Sequence, residues 1–160
     1  MTSTKQLEVL RQGIIAGTAG GLAEIAWVTF YATITGGDAG VLARGVTSAA
    51  GVTALLPASP VALGVVVHMT LATMLGIALA GLWSVLRDKR PGLTNPYPFM
   101  LAALAGVWAV NFFVVLPIVS PAFVDMVPYA VSLTSKLLFG LSAAQAIRLL
   151  TNAKRVYAGR

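Results

Sequence analysis

Four long runs of this chain carry almost no charge, and that limits what it can fold into more than any other feature. They cover roughly residues 12–34, 58–86, 98–118 and 128–149. The first contains one charge, Glu24. The second has none apart from whatever His68 carries. The third has none, and the fourth holds Lys136 and ends near Arg148. A helix needs about 20 mostly apolar residues, each rising 1.5 Å, to cross the hydrocarbon of a bilayer. All four runs are long enough. The second exceeds the requirement and is expected to tilt or project.

Composition agrees. Hydrophobic residues make up 58% of the 160 and charged residues only 10%, whereas a soluble domain carries roughly a quarter charged. Too little charge remains to coat a water-facing surface. A chain this apolar is not disordered. The absence of cysteine rules out a disulfide-stapled domain and a thiolate metal centre. The expected fold class is all-α: a polytopic membrane protein, a four-transmembrane-helix bundle forming a single membrane domain over residues 1–160.

Lysine and arginine set the orientation. Lys5 and Arg11 precede the first span, and Arg87, Lys89 and Arg90 follow the second. Arg148, Lys154, Arg155 and Arg160 close the fourth. Only Arg44 falls in the opposite loops, beside Asp38 and Asp125. The positive-inside rule then places both termini in the cytoplasm. The net charge of +6 is accounted for by topology and anionic lipid, without nucleic acid. Tyr31 and Tyr129 fit the outer interface, and Trp83 and Tyr97 the inner one. The first run is too long for a signal peptide and contains Glu24.

The one long loop, residues 35–57, invites a helix of its own. Asp38 is a suitable cap, and Val41, Leu42, Val46 and Ala49 share a face. The expectation is a short interfacial or re-entrant helix on the outer side. A fifth span is the alternative, but it would move a basic segment outside. Ser3 with Gln6 suggests a capping box opening a short helix ahead of the first span.

Lipid supplies little hydrophobic drive between helices, so small residues mark the places where backbones approach. Gly13, Gly17 and Gly21 repeat every four residues. Gly64, Ala72 and Gly76 share one face of the second span, and Gly140 and Ala144 one face of the fourth. Packing within the bundle is the ordinary reading of such stripes, and a face for another subunit is the sharper one.

Glu24, His68, Asn111 and Lys136 do not belong in hydrocarbon. Three of them continue small-residue rows: Ala16–Gly20–Glu24, Gly64–His68–Ala72 and Ser132–Lys136–Gly140. Counted from the outer ends of their helices, all four lie about 10–16 Å deep. The expectation is a shared polar layer, with Glu24 and Lys136 as an ion pair and His68 and Asn111 beside it. A clasp that fixes helix order is the plain interpretation, and a proton or ion site the functional one. Ser132, Thr134 and Ser135 read as residues bonding back to their own helix. His68 is the single histidine, so no metal site is expected. A haem or pigment held through His68 as axial ligand would need a partner ligand from elsewhere.

No phosphate loop, Ser-His-Asp set or metal-spaced cluster accompanies these residues. In style the chain resembles small Ala/Gly-rich proteins of bacterial inner membranes, and nothing in it points to an enzyme. The leading expectation is a non-catalytic accessory or assembly subunit of a larger membrane complex, in contact with lipid and with other subunits or copies of itself. A small transporter or ion-conducting oligomer is the alternative from another class, and a haem- or pigment-bearing electron-transfer subunit a further one.

Overall fold

The computed structural model describes residues 3–158, with side chains through residue 153. Four helical segments are long and apolar enough to cross a membrane: Ser3–Thr35, Pro60–Lys89, Tyr97–Val119 and Tyr129–Ala153. Helix α1 (Ser3–Thr35) leads through α2 (Ala39–Ala49) and a 3-10 turn (Thr53–Leu55) to α3 (Pro60–Lys89). The third span joins α4 (Tyr97–Val110), a π-helical turn (Asn111–Val115) and α5 (Leu116–Val119). A six-residue helix, α6 (Pro121–Met126), precedes α7 (Tyr129–Ala158). The all-α four-span bundle with a short helix between spans one and two is therefore the architecture, and α2 is not a fifth span. The short helix expected at Ser3 is continuous with the first span, because no breaker separates it from the apolar run.

Two helix ends follow from glycine. Gly36 has φ of +69°, a left-handed conformation that costs a residue without Cβ nothing. The Gly37 N–H donates to the Ala32 carbonyl at 2.8 Å and the Gly36 N–H to the Thr33 carbonyl at 3.5 Å, the paired bonds of a Schellman close. Gly51, also at +69°, closes α2 in the same way through Ser48 and Thr47. At the other end of α2, Asp38 caps as expected, its Oδ1 accepting from the Gly40 N–H at 2.7 Å.

The packed face of α2 differs from its apolar one. Gly45 and Thr47 are buried while Val41 is exposed. Gly64 is the reason. A Cβ there would strike the Ala43 carbonyl, so α2 crosses α3 at backbone distance, and Thr47 donates to the Pro60 carbonyl at 2.8 Å.

Helix α1 sits between α3 and α7, and α4 packs mainly on α7. The spans thus run α3–α1–α7–α4. Helices α3 and α4 meet little; the rings of Trp83 and Phe99 touch there, with centroids 5.6 Å apart. The buried core draws on all four spans, with Ala16, Ala72, Leu79, Met100, Leu104, Phe139 and Ile147 among its members.

The α1–α3 seam uses four of the six predicted glycines. A Cβ on Gly13 would meet the Ile77 backbone, and one on Gly17 would lie 2.7 Å from Thr73 Cα. Gly76 faces the Gly17 backbone, and Gly21 faces Ala72 and Met69. Gly64 serves α2 instead of a span, and Gly140 looks toward Met100 with a looser 3.3 Å. Gly20, a neighbour of the stripe, makes the α1–α7 contact: the Phe139 ring occupies the space its Cβ would take, 2.6 Å away.

The third span is not a uniform helix. Pro117 has no N–H and its ring crowds the preceding turn. Just upstream the ladder widens, and the Leu116 N–H donates to the Asn111 carbonyl, five residues back.

Candidate functional site

Glu24 lies in the middle of α1 with its side chain only 4% exposed. Its Oε1 is 2.7 Å from Lys136 Nζ on α7. Its Oε2 is 3.6 Å from His68 Nε2 on α3. The Ser135 hydroxyl donates to Oε1 at 3.4 Å. One carboxylate is thus approached from both helices that flank α1.

The register behind this convergence is simple. Pro60 opens α3 and Pro128 immediately precedes α7. His68 and Lys136 each stand eight residues beyond their proline, about 12 Å along a helix. The two flanking helices run the same way, antiparallel to α1, so both bases reach one level. Gly20 and Gly21, one turn before Glu24, bring those helices in close on either side.

The electrostatics are asymmetric. A buried carboxylate is tolerated only when a cation and hydrogen bonds replace water. Lys136 supplies the cation, and its ammonium also stands 5.8 Å from the Phe139 ring centre. Oε2 is buried and accepts no hydrogen bond among the described residues. The two bases keep more contact with the outside than the acid does, His68 at 24% and Lys136 at 21% side-chain exposure.

His68 Nε2 also lies 3.3 Å from the Gly21 carbonyl. A carbonyl only accepts, so in this contact Nε2 is the donor. A haem or metal at His68 would have to take Nδ1, or displace this contact. Among the described residues no group of three or more His, Cys, Asp or Glu is placed to hold a metal ion.

Asn111 stands apart. It begins the π turn on the third span, its carbonyl is used within that turn, and its side chain donates no hydrogen bond to Glu24, His68 or Lys136 among the described residues. The expected shared depth did not bring it in, because α4 packs mainly against α7.

Several polar contacts escape a reading of the chain alone. Ser135 turns to Glu24 instead of to its own helix, whereas Thr134 bonds back to the Ala130 carbonyl. Ser132 does both, donating to the Tyr129 carbonyl and accepting the Trp108 indole N–H at 2.9 Å. Trp27 donates to the Val131 carbonyl at 3.0 Å. At the basic end Lys5 pairs with Asp88, and Tyr97 donates to Gln145. The side chains of Lys154 and Arg155, and all of Arg160, lie outside the described residues.

At the opposite end Arg44 is paired with Asp38 at 2.9 Å. That guanidinium, with the Gly40 N–H, holds the exposed Asp38 carboxyl below its ordinary value.

Comparisons with protein-family models, curated proteins and solved structures find no match to this chain.

Proposed function

We propose that the protein is an accessory or assembly subunit of a larger complex in the bacterial inner membrane, with both termini in the cytoplasm. It works by association, and the Glu24–Lys136–His68 clasp holds its own helices in order. The observation that carries this reading is a contrast between small residues. Gly13, Gly17, Gly20 and Gly76 are consumed by contacts inside the bundle. Gly106 on α4 is exposed, and a Cβ there would meet nothing. Ala102, one turn earlier, is exposed as well. Small pairs at this spacing favour close helix contact in lipid, and both residues of this pair are exposed among the described residues. A transmembrane helix of another subunit fits it.

The test is mild solubilisation of native membranes. The chain is expected to leave the membrane with a partner, and Gly106→Leu to release it. A chain that emerges alone and monomeric, whatever stands at position 106, overturns the reading.

The site itself favours a second reading, a proton or ion pathway in a small oligomer. Its support is the buried Oε2 with no hydrogen bond among the described residues, set beside two bases that retain exposure. It predicts pH-dependent flux in proteoliposomes that Glu24→Gln abolishes. Flux that is absent, or that survives the substitution, removes it and leaves the clasp.

A further inference from the structure

A cavity of about 730 Å³ opens at the basic end, between the last turns of α3 and α7 and the loop entering α4. Arg87 reaches it from α3 and Arg148 from α7. Neither guanidinium has an acidic partner among the described residues. Asp88, the carboxylate in the lining, is already taken by Lys5. The cavity is therefore cationic and not self-neutralised.

Its remaining polar groups include two uncommitted neutral donors, beside Thr94, Thr151 and Asn152, which can also accept. Trp83 is 3% exposed and forms part of the wall. The indoles of Trp27 and Trp108 each donate to a protein oxygen, while that of Trp83 has no acceptor among the described residues. Asn95, also in the lining, uses its oxygen to receive the Tyr97 N–H at 3.1 Å, leaving its NH2 group unspent. Two arginines, a tryptophan and an asparagine with uncommitted donors line one space. Such a set matches a tetrahedral oxyanion with several acceptor oxygens. The cavity also lies at the end of the bundle where the basic residues gather, and basic pockets between the ends of spanning helices hold anionic headgroups.

We propose that this cavity is a phosphate-binding site, with Arg87 and Arg148 as its charge partners and Trp83 and Asn95 as neutral donors. The phosphate belongs to a lipid headgroup or to a free anion, and the chemistry of recognition is shared.

The full chain, purified in mild detergent, is offered phosphatidylglycerol or phosphatidylcholine and examined by native mass spectrometry. Retention of phosphatidylglycerol over phosphatidylcholine is expected. R87Q/R148Q should weaken it by about tenfold or more. R148Q alone, at an exposed position, should weaken it less and leaves the fold least disturbed. K89Q removes the same charge at an exposed site outside the cavity and should change nothing. Millimolar inorganic phosphate that displaces the lipid from wild type but not from R87Q/R148Q assigns the site to phosphate in general. Failure to displace restricts it to the lipid. Equal losses in K89Q and R148Q, or undiminished retention in R87Q/R148Q, would overturn the proposal.

Discussion

Glu24 and Lys136 meet at 2.7 Å although they come from the first and last spans, and their contact joins α1 to α7 at the depth where His68 joins α1 to α3. Losing one partner strands the other. Lys136→Met should destabilise the protein by about 3–5 kcal/mol, because Glu24 is left buried without its cation. Glu24→Gln should cost less, since Lys136 retains some exposure. The double substitution should recover most of the loss. Equilibrium unfolding in mixed micelles measures all three, and strictly additive losses would remove the pair as a coupled unit.

The glycines divide into two groups that behave in opposite ways. Gly76→Leu places a side chain against the Gly17 backbone, and overpacking of that kind costs about 1–3 kcal/mol, more where backbone cannot yield. Gly81, where an added Cβ meets nothing, should accept alanine with no loss or a gain of about 0.5–1 kcal/mol from helix propensity. The same unfolding assay reads both, and equal effects at positions 76 and 81 would contradict the seam.

Ser132→Ala should cost about 1 kcal/mol by leaving the Trp108 indole without its acceptor. Fluorescence separates this from a general loss of packing. In a protein retaining Trp108 alone among its tryptophans, the emission should shift on substitution, whereas Thr134→Ala should leave it in place.

Asp38 supplies a pH dependence confined to α2. Arg44 and the Gly40 N–H hold its carboxyl below the ordinary value of 3.8. A carboxyl lowered on folding stabilises the folded form at pH above that ordinary value. The contribution disappears as pH falls through the lower, folded value. Hydrogen exchange at the start of α2 should therefore accelerate in strong acid. Asp38→Asn, which still caps, should flatten that response; an unchanged acid profile in this variant would place its origin elsewhere.

Much of this protein is local and so was legible in the chain. Hydropathy and length give four spans because backbone polar groups in lipid must be satisfied within a helix. Asp38 and the loop length mark α2, and the three deep ionisable groups at matching depth imply a common layer. Partner choice within that layer was a different matter. Asn111 was expected at that depth, yet its helix packs mainly on α7, and no count along the sequence reveals which helices are neighbours. Ser135 sits beside Lys136 in the chain but only the rotation of α7 against α1 turns it to Glu24. The π turn has a cue in Pro117, though its extent depends on how the third span packs.

Chain chemistry alone determined four helices long and apolar enough to cross a membrane and which residues would be costly against lipid, since these follow from the cost of moving polar groups into hydrocarbon. Tertiary structure decided the rest. The order α3–α1–α7–α4, the glycine contacts that permit it and the open donors around Arg87 and Arg148 all arise from side chains far apart in sequence, whose meeting depends on close packing between helices.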